Sequence, residues 1–260
     1  MGHLQKLWNS RELLYMLVWR DISIRYKQSV MGFLWAILMP SMIVGAGALV
    51  RFGAAQISGT TVSARDISSV MVRAVVWAFI VAGIRFGTNS LIGNNNLVSK
   101  IAFPKETFPL AATLASGADF LVSLSALIIA LVFIGWIPTW HALWSVPLII
   151  LTFALTAGLA ILLSAANLFF RDVKYLVEVF LTYAIFLTPV LYDANMVGRW
   201  KTAIMLNPFS PILEAFSAAI TDHRTPDLWW TAYSTGVAIV VLTFGYWFFK
   251  RLEASFAESI

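Results

Sequence analysis

No cysteine occurs in the 260 residues, only three histidines do, and charged side chains make up 12% of the chain. The missing cysteine excludes disulfides, thiol nucleophiles and thiolate metal sites. His3, His141 and His223 stand far apart without ligand spacing and read as structural or solvated, so no metal is expected. No glycine is followed by lysine, which removes the phosphate-cradling GxxxxGK[ST] loop. HExxH and GxSxG are absent as well. No catalytic constellation is left.

What remains is apolar. Hydrophobic residues make up 60% of the sequence, and the mean hydropathy is +0.81. In soluble domains about a quarter of residues are charged. The class is therefore an integral membrane protein. The apolar runs are continuous rather than alternating, which selects helices over a barrel. The net charge of +5 then marks membrane sidedness rather than nucleic acid.

A helix needs about 20 apolar residues to cross the hydrocarbon core. Six segments qualify or nearly do, at 30–50, 70–90, 108–137, 142–170, 176–191 and 228–249. Pro40 and Pro189 should kink the first and fifth. Six crossings leave both termini on one side. Twelve Lys and Arg fall on that side against six on the other, which puts both termini in the cytoplasm. Two regions are helical without crossing. Residues 10–27 start at a possible N-cap, Ser10, and carry Trp19 and basic residues suited to the interface. The segment lacks a small-residue cleavage site, so a signal peptide is not expected. Residues 196–220 hold two half-length apolar pieces, one with Ser210 as N-cap and Pro211 following, which read as re-entrant or periplasmic. There is no repeat and no soluble domain. The expected fold is an all-α polytopic membrane domain spanning 1–260.

Charge inside the spans is costly, roughly 2.5–3.5 kcal/mol for a central Arg or Asp. Asp119 in the third span therefore needs a partner. Either Arg85 supplies it, as a functional pair, or Asp119 is a structural carboxylate held by an ion pair or by hydroxyls. One acid makes no proton relay, and the two halves of the chain lack the symmetry of an ion-coupled carrier. Energy then comes from outside the chain, a partner ATPase being one source and an ion gradient another. A membrane glycosyltransferase or acyltransferase would need a carboxylate or histidine cluster at one face, and none is visible.

Four stretches, read together, resemble one family. RDISIRYKQSVMGFLWAILMP (20–40), NNNLVSKIAFPKETFPLA (94–111), SAANLFFRDVKYLVEVFL (164–181) and LTPVLYD with LNPFSPILEAF occur in the order and spacing of the ABC-2 type polysaccharide-export permeases. The branch it is most similar to exports O-antigen or teichoic-acid-type lipid-linked glycans. The resemblance implies a homodimer in the bacterial inner membrane bound to two copies of a nucleotide-binding subunit. That subunit carries the ATP and Mg, with no cofactor on this chain. It also implies an undecaprenyl-pyrophosphate-linked polysaccharide as cargo, and short gate helices after the fifth span. The alternative is an ABC-2 exporter of a smaller drug or lipid.

Under that resemblance 91–107 becomes a coupling loop, with a short helix at 100–103 bounded by asparagines and Pro104. Leu97, Ile101 and Phe103 would be apolar knobs, and Lys100, Lys105 and Glu106 rim charges. A solvated loop dipping into the interface is the competing reading. Arg20, Arg25 and Lys27 either anchor anionic lipid or bind the lipid pyrophosphate. Phe180, Tyr183 and Phe186 recur every three residues, and Trp35 and Trp77 lie within spans. These aromatics either pack and face lipid or line a glycan path.

Overall fold

The structure, a computed structural model, describes residues 10–27, 31–32, 34–59, 61–100 and 103–256, and all their side chains except those of 58, 99 and 100. Among the described residues every regular element is helical. With no water to satisfy a backbone in lipid, the helix satisfies itself. Five of the described helices are long and apolar enough to cross. They are α2 (Leu34–Ser58), α3 (Ala64–Asn89), α5 (Thr107–Phe133), α6 (Ser145–Phe169) and α10 (Leu228–Leu252). Before them lies α1 (Arg11–Tyr26), and between α3 and α5 the six-residue α4 (Asn95–Lys100). Then α7 (Val173–Leu187), α8 (Lys201–Met205) and α9 (Phe209–Ile220) separate α6 from α10.

The fifth expected span, the shortest of the six at 176–191, is a helix shifted toward the N-terminus by three residues at its start and four at its end. At 15 residues, α7 is about 22 Å long, against about 30 Å of hydrocarbon. It stops because Thr188 precedes Pro189, and a residue before proline is driven to extended backbone; Thr188 has φ −122° and ψ 137°. The chain still traverses the bundle. Near its start Lys174 N–H donates to Asn167 Oδ1 at the end of α6. Beyond its end Asp193 reaches Arg51 at the opposite end of the molecule. Residues 188–192, a turn followed by a bend, cover the remaining distance. By contrast, α2 runs on through Pro40.

Other boundaries shift for local reasons. Helix α3 begins six residues before 70 because a capping box starts it: Ser63 N–H donates to Asp66 Oδ2 at 2.8 Å, and Asp66 N–H to Ser63 Oγ at 3.2 Å. Ser10 makes no side-chain cap bond. Helix α9 starts at Phe209, so Ser210 is not its cap; it lies buried within the first turn. Residues 101 and 102 of the short helix expected at 100–103 lie outside the described residues; α4, which ends at Lys100, continues the turn after α3.

Helix α3 is the hub. Its most apolar stretch is 72% buried, against 17% for α2 and 22% for α10, so its neighbours rather than lipid surround it. It packs on α2, α5, α6 and α9, while α10 lies along α6 and α1 along α5. Gly158 lets α10 close on α6, since a Cβ there would stand 2.9 Å from the Leu242 backbone. The main core centres on Phe79, whose ring lies 4.3 Å from Phe153 and 5.2 Å from Phe120. A second core gathers Leu17, Val98, Phe108, Leu168, Phe249 and Phe256 at the α1 end.

The far end is held by charge. Arg73, 2% exposed, donates to Tyr192 O at 2.9 Å and Glu214 at 3.2 Å and pairs with Asp193. Arg51, 4% exposed, bonds Asp66 at 3.1 Å and Asp193 at 2.9 Å. Glu214 also accepts from Ala194 N–H at 2.8 Å. This network fastens the segment after α7, and α9, to the α2–α3 hairpin.

Candidate substrate cavity

The last turn of α1 lays its side chains against α5. Arg25 Nη1 donates to Asp119 Oδ2 at 2.8 Å and, more weakly, to Ser116 Oγ at 3.4 Å. Tyr26 Oη donates to the other oxygen of Asp119. Burial, and then this bond to Asp119, pushes the Tyr26 hydroxyl well above its ordinary value, so it stays a proton donor. The Arg25 guanidinium also sits 3.7 Å above the Phe86 ring of α3. Asp119 thus finds its cation on α1. The expected Arg85–Asp119 pair does not form: Arg85 Nε stands 2.9 Å from Glu178 Oε1 of α7 instead. That pair is misaligned for a hydrogen bond and about a third or more exposed on both sides, so it stabilises little.

These groups close one end of a cavity of about 490 Å³ between α1, α2, α3, α5 and α7. Arg25, Tyr26, Arg85, Ser116 and Asp119 make that end polar, with two cations. Apart from Ser123 and Thr182 the rest is apolar, walled by Trp35 and Met39 from α2, Trp77 and Phe79 from α3, Phe120 from α5 and Ile185 from α7. Such a space takes an amphipathic guest, with anionic atoms by the guanidinium groups and a hydrophobic or ring-shaped part beside the tryptophans.

The expected residues divide accordingly. Arg25, Arg85, Asp119, Trp35 and Trp77 meet in the cavity. Arg20 pairs with the adjacent Asp21 and Lys27 is exposed at the end of α1; neither lines the cavity. The stripe of Phe180, Tyr183 and Phe186 points away from the cavity and is 63–66% exposed, because Leu181, Thr182 and Ile185 form the α7 wall. Of the residues expected to couple, Leu97 and Phe103 are partly buried against the second core, Phe103 lying 5.3 Å from Phe108. Ile101 and the Lys100 side chain lie outside the described residues. Glu106 is no rim charge. It is 1% exposed and accepts from Lys250 Nζ at 2.7 Å, because α5 starts at the next residue and draws it inside. Lys105 N–H donates to Glu253 Oε1 at 3.4 Å.

Sequence reasoning passed over Arg51, Asp66, Asp193 and Glu214. One signal was available: Arg73 inside an apolar span must be paired, and acids flank the neighbouring loops. Burial opposes ionisation of Asp193, yet Arg73 and Arg51 hold its carboxyl below the usual range.

Comparison with known proteins agrees along almost the whole chain. The sequence pattern of the ABC-2 type transporter family matches residues 12–221. An O-antigen export system permease protein RfbA of Myxococcus xanthus is 27% identical over 263 aligned positions, covering 98% of both chains. Two proteins of the same name from Klebsiella pneumoniae are 25% and 24% identical, each covering 95% of this chain and 94% of its own length. With its helical multi-pass architecture and a family match across four-fifths of its length, the chain belongs to the ABC-2 type transporters.

Proposed function

We propose that the chain is the membrane subunit of an ATP-binding cassette exporter that carries a lipid-linked polysaccharide of O-antigen type across the bacterial inner membrane. It works as a homodimer with two copies of a separate subunit that binds ATP and Mg and hydrolyses the nucleotide. Both termini and residues 91–107 face the cytoplasm, and α8 and α9 gate the outer end. The observation that carries the reading is the full-length similarity to O-antigen export permeases.

The cavity adds a chemical argument. Arg25 and Arg85 suit the phosphates of a lipid pyrophosphate, since guanidinium binds such oxygens bidentately. The walls of α2 and α7 suit its prenyl chain. Arg20 and Lys27 remain for anionic lipid at the membrane surface. A volume of about 490 Å³ is that of a small-molecule site, too small for a polymer. The glycan therefore passes between two copies, where Phe180, Tyr183 and Phe186 offer aromatic faces. Cavity size alone favours a second reading, export of a smaller lipid.

Deleting the gene in its host and purifying the tagged chain with candidate nucleotide-binding subunits separates the two. The leading reading expects loss of surface polysaccharide and a co-purifying, vanadate-sensitive ATPase. A deletion strain with normal surface polysaccharide rules it out in favour of the smaller cargo. Phe103→Asp should weaken co-purification of the ATPase about tenfold or more, a loss of roughly 1.4 kcal/mol. Unchanged co-purification removes Phe103 from the interface.

A further inference from the structure

The last turn of α10 and the residues that follow it have no part in the cavity, yet they grip the segment proposed to meet the ATPase. Lys250 Nζ donates to Glu106 Oε2 at 2.7 Å and to Glu253 Oε2 at 2.8 Å. Glu253 reaches on to the Lys105 backbone N–H. Phe256, fully buried, seats its ring 5.1 Å from Phe249 and 5.9 Å from Phe169. The Lys105 ammonium lies 5.6 Å from the same ring. Three contacts thus fasten residues 105–106 to the end of α10.

The pin has a rigid helix on each side. Helix α5 begins at Thr107, directly after the buried Glu106. Helix α10 is set hard against α6: Gly245 faces the Gly158 carbonyl so closely that an added Cβ would lie 2.7 Å from it. A carboxylate buried this deeply cannot lose its cation without strong destabilisation, so the link stays closed when the segment moves.

We propose that Lys250 is a positioning residue that transmits displacement of the coupling segment into the α6–α10 pair. Through it one push from the ATPase acts on two helices, α5 through the chain and α10 through the ion pair. Without it, the push reaches α5 alone. The inference rests on the reading of that segment as the ATPase contact, and it assigns transmission to a residue 144 positions away in sequence from Glu106.

The test is Lys250→Met and Lys250→Arg in the assembled complex. ATP hydrolysis is measured on the purified complex, and export as surface polysaccharide in a host whose own copy is deleted. Lys250→Met lowers the yield of folded complex, because it strands a buried carboxylate; transmission predicts that the complex that does assemble hydrolyses ATP within about twofold of wild type, while polysaccharide exported per ATP falls about tenfold, inside the usual range of coupling energies. Lys250→Arg restores most of it. A purely structural role would lower hydrolysis and export of the assembled complex in parallel, and that result overturns the proposal. So does an unchanged ratio. Should Lys250→Met fail to assemble, Glu253→Gln, which removes only the outer half of the pin, must lower export per ATP; no change there is equally fatal. A wild-type chain that binds no ATPase overturns the functional reading itself, and the inference with it.

Discussion

At the far end of the bundle Arg51 and Arg73 are 4% and 2% exposed and divide three carboxylates between them. At the α1 end Arg25 shares one carboxylate, Asp119, and keeps its guanidinium on a cavity wall beside a second cation, Arg85. The chemistry is the same and the roles differ. A cation whose partners surround it is a structural fastening, and removing it strands the acids. A cation that faces open space beside a single acid retains capacity for an incoming anion.

The contrast breaks most visibly at Arg73. Arg73→Met leaves Glu214 and Asp193 without their main cation and should cost about 3–5 kcal/mol, read as a large drop in the melting temperature of the detergent-purified protein. Adding Glu214→Gln should return part of it. A variant that melts like the wild type would mean that the far-end network is not a fastening.

Asp119→Asn should cost less, about 1.5–3 kcal/mol for the lost charged hydrogen bonds, and should lower export by more than the loss of folded protein accounts for. Proportional losses would reduce Asp119 to a structural role.

The far end also has a pH signature. Because the Asp193 carboxyl is depressed in the folded protein, its contribution is complete above the unfolded value of about 3.9 and is lost as pH falls through the lower folded value. The stability advantage of wild type over Asp193→Asn should therefore stay level from pH 7 to about 5 and shrink below about 4. An advantage that fades near neutrality would contradict the assignment.

The smallest effect on folding is expected at Tyr183, 63% exposed on α7. Tyr183→Ala should move stability by no more than about 0.5 kcal/mol, yet slow export while dimer and ATPase binding persist. Normal export would leave the aromatic stripe with lipid contact alone.

Much of the fold was legible, for reasons visible at particular residues. The crossing helices stand out because their apolar content is local. Where polar chemistry started or ended an element, hydropathy misjudged it: the Ser63–Asp66 capping box lies outside the apolar run of α3, and Thr188 before Pro189 cuts α7 short. The cavity was half legible. Arg25, Trp35, Trp77, Arg85 and Asp119 were all singled out; of the readings kept open for Asp119, an ion pair holds, with Arg25 rather than Arg85 as its cation. Glu106 was taken for a surface charge because nothing near it in sequence reveals Lys250.

From its residues alone the chain is committed to a lipid environment and to helices, since hydrophobicity adds up along a segment and a backbone in hydrocarbon must bond to itself. Which charges meet is settled by the rotation and offset of each helix against its neighbours. Arg25 and Asp119 lie 94 positions apart, Lys250 and Glu106 144 apart. Periodicity says which face of a helix is apolar. Only the packed bundle brings a given atom on one face within 3 Å of its partner.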